Sequence, residues 1–403
     1  MNASAVTDLV VVGGGTLGGW ASYFAKTGGA ERVVVLERGL LGQGASSRAA
    51  GIVRSQGGTP ATVALGQWSI DFYNRQQELL GTDSGFSELG YLLLAITPED
   101  EAEGRRRVEM QRSCGLDVEW LLAETATEVC STLAPREHRG GSYVVTDGAI
   151  NPPRNVLAYA IAMSRSGVEV LERTAFTGLR TAASSDGSVR VTGVETSAGL
   201  IETERVIITG GPSLQAVGRL AGARIPVGGA RHQVAVTEPH VAFQTGRQPM
   251  VFDLGAGLYW RLEEDGLLFG MSNPDESPGQ ATEIDWPYLE KMQRRLARLV
   301  PATNGLKLRK VWAATIDYTP DHLPILGPVL TAAGTPIEGT TVACAGGHGM
   351  MWGPAVARAA ADLALEGKTD LIDVTELGLD RFDERGRSKL ATDPIALPFP
   401  VST

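Results

Sequence analysis

A glycine-rich turn close to the N-terminus constrains the fold more strongly than any other part of this sequence. The apolar run Leu9–Val12 leads directly into Gly13-Gly14-Gly15-Thr16-Leu17-Gly18. Helical spacing follows over residues 20–26, and a second apolar strand follows over residues 32–36. Glycines spaced GxGxxG between a strand and a helix predict a Rossmann-like β-α-β unit, whose turn receives the pyrophosphate of a dinucleotide at the helix N-terminus.

Each residue of this unit has a separate predicted role. Gly13 permits the tight turn, Gly15 lets the backbone approach the pyrophosphate, and Gly18 lets the helix pack against the strand. Glu37 closes the second strand, where its carboxylate can accept both ribose hydroxyls of an adenosine. The alternative is a glycine-rich turn without a ligand, in which each glycine costs about 0.5–1 kcal/mol with nothing to offset it. NAD and FAD enzymes share the motif, so it does not choose between them.

The composition narrows the class of partner. With 36 Lys and Arg against 46 Asp and Glu, the net charge is −10 and no basic run is present, so nucleic acid is not an expected partner. No spacing typical of a metal site is present, and no metal is expected. The three cysteines lack the pattern of a disulfide framework, which favours a reducing compartment, and we expect the cytoplasm. The sequence shows neither a positively charged leader nor an apolar run of ~18 residues, so no signal peptide and no membrane span are expected.

Three later stretches, together with the first motif, resemble the D-amino-acid oxidase (DAO) family of FAD-dependent oxidoreductases. They are Thr209-Gly210-Gly211, the TPDxxPxxG-like segment of residues 319–327, and the loop Gly347-His348-Gly349-Met350. A run of mostly small residues at 42–51 also follows the ribose carboxylate. The motifs occur in the family's order over residues 8–367, and the ordered set is more specific than any one of them.

The resemblance implies an α/β fold with two domains: a Rossmann-like FAD-binding domain with an inserted β-meander, plus a mixed antiparallel-sheet α+β substrate domain. Polar turns at residues 183–187 and 197–199 separate strand-like stretches and indicate the meander. A chain of 403 residues is long enough for two cores. We expect a discontinuous FAD-binding domain at residues 1–83, 150–224 and 325–385, a substrate-binding domain at 84–149 and 225–324, and a C-terminal tail at 386–403.

FAD is therefore the expected cofactor, bound noncovalently. Relatives attach the flavin through a cysteine or a histidine, and the corresponding positions here are Ala314 and Arg48. The glycine motif and the resemblance together place one set of residues against FAD. These are Gly13, Gly15, Thr16, Gly18, Glu37, Arg38, Ser46, Ser47, Arg48, Ala50, Gly51, Ile52, Ala175, Thr209, Gly210, Gly211, Gly347, His348, Gly349, Met350 and Met351.

The resemblance also implies a reaction, the oxidation of a C–N bond to an imine by hydride transfer to flavin N5. Arg54 matches an arginine that binds the substrate carboxylate through two parallel hydrogen bonds. His348 lies in the loop at the flavin edge, and Tyr259 with Trp260 lies on a strand that can form an aromatic wall of the substrate site. The alternatives are an interdomain ion pair for Arg54, capping of loop carbonyls for His348, and core packing for the aromatic pair.

Two departures from the family pattern bear on the substrate and the electron acceptor. Met351 stands where relatives carry a second carboxylate-binding lysine, which indicates a substrate other than sarcosine. Leu268 stands where a lysine helps oxygen react, so the acceptor, O2 or a redox partner, stays open. The remaining histidines, His232 among them, form no metal-like spacing and are expected to be structural or on the surface.

The leading hypothesis is an FAD-dependent oxidoreductase that acts on an amino acid, an N-alkyl amino acid or a related amine, with its oligomeric state open. One alternative is the flavin-bearing subunit of a heteromeric amino-acid dehydrogenase or oxidase. Another is an FAD-binding protein without catalysis, and a third is an ordinary NAD-dependent dehydrogenase. Co-purification, bleaching of the flavin by substrate and the visible spectrum separate these alternatives.

Overall fold

The computed structural model describes residues 7–183, 187–244 and 248–391. The predicted turn at 183–187 and the predicted tail at 386–403 lie only partly within these ranges, and residues 1–6 lie outside them. None of the helices in the described ranges is both long and apolar enough to span a bilayer. The helices are α1 (Thr16–Thr27), α2 (Pro60–Leu80), α3 (Pro98–Ser113), α4 (Ala123–Val129), α5 (Pro152–Ser166), α6 (Leu214–Leu220), α7 (Trp286–Leu299) and α8 (Gly353–Glu366).

The ends of the longer helices follow local sequence rules. The residues that precede α2, α3, α5 and α7 accept a first-turn N–H through their side chains, and each of these helices carries proline in its first turn. These capping residues are Thr59, Thr97, Asn151 and Asp285. Glycines in the left-handed conformation end α2, α5 and α8. The helix boundaries are therefore encoded locally.

The first sheet is the Rossmann-like sheet that the glycine motif predicts. Its strands, in spatial order, are β19 (Ile325–Gly327), β21 (Thr340–Cys344), β13 (Val206–Ile208), β1 (Leu9–Val12), β2 (Val33–Leu36) and β9 (Glu169–Leu171). All neighbouring pairs are parallel except β19 with β21. The helices α1, α5 and α8 cover one face, where Trp20 is fully buried. Covered faces explain why these strands are continuous apolar runs.

The predicted β-meander covers the other face of this sheet. Its strands are β10 (Phe176–Ala183), β11 (Val189–Thr196) and β12 (Gly199–Glu202), with β20 (Ile337–Glu338) parallel to β11. Val10 and Val12 of β1 pack in one apolar cluster with Val191 and Val194 of β11. The alternation along β1 therefore divides its side chains between the helical layer and the meander.

The second sheet has eight strands, mostly antiparallel. In spatial order they are β18 (Leu308–Tyr318), β14 (Gly228–Thr237), β17 (Gly266–Met271), β16 (Leu258–Glu263), β15 (Met250–Asp253), β5 (Tyr91–Leu94), β7 (Gly141–Val144) and β6 (Glu119–Leu121). Only the β5–β15 pair is parallel among these. One face packs on α7 through Trp260, Phe269 and Met292. The two sheets confirm the predicted fold class.

The opposite face of the eight-stranded sheet faces the Rossmann-like domain. We call it the site face, and its apolar residues include Val234, Phe252, Tyr259, Leu268 and Trp312. Ala50 and Ile52 of the small-residue run pack against this face. A small sheet of β3 (Ile52–Val53), β8 (Gly148–Ala149) and β4 (Ser87–Glu88) extends from the same run. The run thus lies between the two halves of the molecule.

Candidate active site

The glycine turn after β1 is closely packed except at one glycine. Gly13 has φ of +101°, which favours glycine, and a Cβ on Gly18 would overlap the Gly13 carbonyl oxygen. A Cβ on Gly15 would meet a single described atom within 4 Å, Ser46 Oγ at 3.1 Å. Gly13 and Gly18 therefore serve the turn and the helix packing, whereas Gly15 leaves backbone open to a ligand.

Two helix N-termini meet beside this turn. The helix α1 begins at Thr16 and α8 begins at Gly353, and a Cβ on Gly353 would lie 3.1 Å from Thr16 Cγ2. Neither helix has an N-cap side-chain hydrogen bond or an acidic residue in its first turn. Ser46 Oγ accepts the Thr16 N–H at 2.9 Å. Two positive helix ends in one place fit the anionic groups of FAD.

Glu37 is oriented by two backbone amides beside the glycine turn, and its contact with a ribose remains a prediction. Its Oε2 accepts the Gly14 N–H at 2.9 Å, and its Oε1 accepts the Gly39 N–H at 2.7 Å. Each oxygen keeps a second lone pair for a hydroxyl. Thr174, next to Ala175, donates its N–H to the Glu37 carbonyl at 2.9 Å, so Ala175 lies near this end of the site. Arg38 is exposed beside it.

Residues 45–54 overlap the small-residue run of 42–51 and are the stretch predicted to contact the flavin. Two side chains of the eight-stranded sheet hold this stretch against the site face. Trp312 Nε1 donates to the Arg48 carbonyl at 2.8 Å, and Arg261 Nε donates to the Ala50 carbonyl at 3.1 Å. Gly51 has φ of +79°, and a Cβ there would overlap the Ile150 carbonyl oxygen. These contacts fix the stretch that contains Ser46, Ser47 and Ile52, for which flavin contact remains a prediction.

His348 is buried and uncharged in the loop before α8. Its Nδ1 lies 2.9 Å from the Gly346 carbonyl oxygen, which only accepts, so Nδ1 carries the proton and Nε2 is an acceptor. Burial, with repulsion from the Arg54 charge, lowers the pKa of His348 to about 3. The ring lies against Trp352 with centroids 4.1 Å apart. Arg54 and the predicted loop histidine are therefore brought together, and the alternative role of capping a loop carbonyl is also observed.

The two methionines that follow Gly349 pack into different apolar clusters. Met350 packs with Val53 and Tyr73, and the Tyr73 hydroxyl donates to its carbonyl at 2.8 Å. Met351 packs into the core around α1 and α8 and is 6% exposed. The position that carries a second cation in the relatives therefore contributes to the core of the Rossmann-like domain, and FAD contact by Met351 remains a prediction.

Asp317 of β18 links two glycine turns that the sequence predicts to contact FAD. Its Oδ2 accepts the Gly347 N–H at 3.4 Å and the Cys344 thiol at 3.1 Å. A Cβ on Gly211 would lie 4.0 Å from Asp317 Oδ1. On the β13 side, Thr209 Oγ1, next to Gly210, donates to the Val12 carbonyl at 2.6 Å. Sequence reasoning missed Asp317, because its role depends on the approach of β18 to both turns.

Arg54 lies in a buried polar cluster at the end of β3. It is 3% exposed, and its Nη1 donates to the Gln56 carbonyl. Burial raises the pKa of Tyr91, while the Arg54 charge and a hydrogen bond from Arg54 oppose that rise. Asp147 is fully buried, and its Oδ1 accepts from Ser55 N at 2.8 Å and from Ser55 Oγ at 2.5 Å. Burial raises the pKa of Asp147 to about 6, although Ser55 and Arg54 oppose the rise.

Tyr259 and His232 form a hydrogen-bonded pair on the site face. Tyr259 Oη lies 2.6 Å from His232 Nε2, and His232 Nδ1 lies 3.4 Å from Ser272 Oγ. A Cβ on Gly270 would overlap the Tyr259 hydroxyl, so glycine lets the ring cross β17 to reach β14. Burial lowers the pKa of His232 to about 4 and raises that of Tyr259. Both groups are therefore uncharged near neutral pH.

Of the two alternatives for the aromatic pair, core packing holds for Trp260, whereas Tyr259 lies on the site face. Trp260 points to the opposite face and packs against α7, because neighbouring residues of a strand alternate between faces. His232, expected to be structural or at the surface, is buried and hydrogen-bonded to Tyr259, which agrees with a structural position. The alternation of Ala230, His232 and Val234 along β14 is the one sequence signal that places this histidine with buried residues.

Comparisons with known proteins agree with this geometry. The sequence model of the family described as DAO, FAD dependent oxidoreductase, matches residues 8–363. Sarcosine oxidase subunit beta of Arthrobacter sp is 29% identical over 348 residues, which cover 85% of this chain and 82% of that protein. Human mitochondrial sarcosine dehydrogenase is 28% identical over 79% of this chain, which spans only 36% of the human protein.

A solved structure shares the fold across the chain. L-proline dehydrogenase from P. horikoshii superposes with a TM-score of 0.85 at 26% identity, and the match covers 95% of this chain and 99% of that one. The similarity therefore includes both the Rossmann-like sheet and the eight-stranded sheet.

Proposed function

The chain belongs to the DAO family of FAD-dependent oxidoreductases, and we therefore propose that it oxidises the C–N bond of an amino acid or N-alkyl amino acid to an imine. Bound FAD supplies the two-electron acceptor for this oxidation. The open Gly15 backbone, the two helix N-termini and the orienting contacts of Glu37 fit the pyrophosphate and the adenosine ribose. The residues that hold FAD and substrate are part of the proposal.

Arg54 is the proposed anchor for the substrate carboxylate. A buried guanidinium binds a carboxylate strongly, because little water competes for either charge, and its planar fork also fixes the orientation of the substrate. The neighbouring hydrogen bond to the Gln56 carbonyl holds the arginine in place. Tyr91 belongs to the same cluster, because the charge of Arg54 and a hydrogen bond from it oppose the rise that burial causes in the pKa of Tyr91.

The Tyr259–His232 pair is proposed to receive the substrate amine. When the Tyr259 O–H donates to His232 Nε2, the phenol oxygen keeps lone pairs that can accept an amine N–H. Because both groups are uncharged near neutral pH, they favour the neutral amine over the ammonium form. An amine must be neutral before its C–N bond can be oxidised, so the pair prepares the substrate.

One observation carries the proposal: Arg54 and Tyr259 are connected through Tyr91. Arg54 acts on the Tyr91 hydroxyl, and Tyr91 in turn acts electrostatically on Tyr259. Arg54 and Tyr259 thus both lie near Tyr91, which brings a cation for the carboxylate and an acceptor for the amine into the same part of the proposed site.

The test is anaerobic reduction of the bound flavin by a panel of amino acids, N-methyl amino acids and amines without a carboxylate. We expect bleaching by at least one carboxylate-bearing amine and much slower bleaching by its decarboxylated counterpart. A flavin that none of these compounds bleaches refutes the proposal and favours an FAD-binding protein without catalysis. Reoxidation with air after bleaching then separates an oxidase from a dehydrogenase that uses another acceptor.

A second candidate is the flavin-bearing subunit of a heteromeric enzyme. The observation that favours it is the similarity, over most of both chains, to a protein named as a beta subunit of sarcosine oxidase. Purification from the native source under mild conditions tests it, and a second chain in fixed stoichiometry supports it. A cytoplasmic location is proposed with either candidate, since Cys114, Cys130 and Cys344 are all unpaired.

A further inference from the structure

Arg261 occupies a distinctive place on the site face. It lies two residues after Tyr259 on β16, so both side chains point to the same face of the sheet. Its cross-strand partner on β17 is the apolar Leu268. The Arg261 side chain is 12% exposed, which makes it a largely desolvated cation.

The guanidinium of Arg261 is fixed by three contacts. Nε donates to the Ala50 carbonyl at 3.1 Å, and Nη1 donates to the Leu262 carbonyl at 2.9 Å and to Glu263 Oε2 at 2.5 Å. Ala50 lies in the run predicted to contact the flavin, far from Arg261 in sequence. The cation is therefore directed at that run with little freedom to move.

The charge of Arg261 is only partly balanced by Glu263. The Glu263 side chain is 37% exposed, so water screens its negative charge more than it screens the arginine. Burial raises the pKa of Tyr259, and the positive charge of Arg261 on the same face of β16 opposes that rise. His232 adds no charge there near neutral pH, and Lys310 in the same row of the sheet is exposed.

We propose that Arg261 is a fixed positive charge that stabilises reduced flavin in this protein, and that Glu263 limits the strength of that charge. Reduction adds negative charge to the flavin ring, so a desolvated cation held at the flavin-contacting run favours the reduced form. Arg261 acts here through its field and through the carbonyl of Ala50, which makes it a positioning residue. The inference rests on the proposed function only for the location of the flavin beside residues 45–54.

The test compares three holoenzyme variants: Arg261→Gln, Glu263→Gln and Arg309→Gln. Arg309 provides a matched control because it forms an exposed ion pair with Glu264 at the turn of the same hairpin, with side chains 37% and 72% exposed. Two properties are measured without any substrate. They are the midpoint potential of the flavin and the Kd for sulfite, a small anion that adds to oxidised flavin.

The two site variants should move these properties in opposite directions. Arg261→Gln should weaken sulfite binding by about tenfold and lower the two-electron potential by about 30 mV, the equivalent of tenfold. Glu263→Gln should strengthen sulfite binding and raise the potential, whereas Arg309→Gln should change neither. Opposite shifts support the proposal, since a merely structural role would not reverse its sign.

The proposal would be overturned if Arg261→Gln and Glu263→Gln shifted the potential and the sulfite Kd in the same direction, or if neither variant shifted them. If Arg261→Gln fails to fold or to hold FAD, the upward shift predicted for Glu263→Gln decides the matter alone. The outcome is independent of the substrate test, because potential and sulfite binding are measurable on a flavin that no amine reduces. A wild-type protein that binds no FAD would instead refute the proposed function.

Discussion

Replacing Asp147 by asparagine should raise the stability of the protein, relative to the wild type, as the pH rises from acidic to neutral. Burial raises the pKa of the Asp147 carboxyl from 3.8 to about 6 in the folded chain. Between these values the folded state holds a proton that the unfolded state has lost, so the free energy of unfolding falls as the pH rises. A shift of about 2 units corresponds to about 3 kcal/mol, which is fully expressed above pH ~7.

Asparagine is close in shape and carries no charge to desolvate. Its carbonyl oxygen can still accept from Ser55 N and Ser55 Oγ, as Asp147 Oδ1 does. The other oxygen, Oδ2, has no hydrogen-bond partner among the described residues, so an amide nitrogen there adds buried N–H donors, and their cost is the same at every pH. The variant should therefore gain stability relative to the wild type as the pH rises.

The assay is urea unfolding of both proteins, followed by tryptophan fluorescence at several pH values from 4 to 7.5. The difference in unfolding free energy, variant minus wild type, should grow by about 2–3 kcal/mol across that range. Asp71→Asn, which removes a 65%-exposed carboxylate of α2, is the control and should give a nearly flat difference. A flat difference for Asp147→Asn as well would refute the reasoning, because Asp147 would then titrate as it does in the unfolded chain.

Three further predictions concern the cofactor and the substrate. Arg54→Met should lower the efficiency of flavin reduction by a carboxylate substrate ~30-fold to several thousandfold, with Arg54→Lys between it and the wild type and FAD content unchanged; equal efficiency would move the anchor elsewhere. Glu37→Ala should weaken FAD binding about tenfold to a hundredfold in titrations of the apoprotein, and unchanged affinity would place the ribose elsewhere. Gly18→Ala should abolish FAD retention because its Cβ would overlap the Gly13 carbonyl, whereas Gly44→Ala, with open space around it, should retain a normal flavin spectrum.

The Rossmann-like half of the fold was predictable because its signals are local. Strand β1, the turn at Gly13 and helix α1 follow one another directly, and each has an unambiguous pattern. The meander was predictable for the same reason, since polar turns separate adjacent strands. The GHG loop and the start of α8 at Gly353 were likewise marked by glycine and proline.

The substrate half was less predictable, because its site depends on which strands are neighbours. His232 and Tyr259 belong to strands separated by β17, and only that order lets the tyrosine ring cross Gly270 to the histidine. The strand that contains Trp260 was predictable from the sequence. Which face of the sheet its side chain lies on was not, because that depends on how the sheet packs against the rest of the chain. Asp147 likewise reaches Ser55 through the pairing of β3 with β8.

Met351 illustrates a limit of matching motifs by position. The family pattern predicts a lysine at its place after the loop, but the chain there has already turned toward α8, and the side chain joins the core around α1. An apolar residue at that point contributes to the packing of α1 and α8 as well as removing the predicted charge. The sequence alone reveals the lost charge and not the gained packing.

The meeting of α1 and α8 has a consequence for the order of events during synthesis. The two helices proposed to face the anionic groups of FAD begin at Thr16 and Gly353, so most of the described chain is synthesised between the first helix and the second. Until α8 is made, the early β-α-β unit offers only half of the positive surface and lacks the loop of His348. We therefore expect the proposed FAD site to be complete only after α8 has been synthesised.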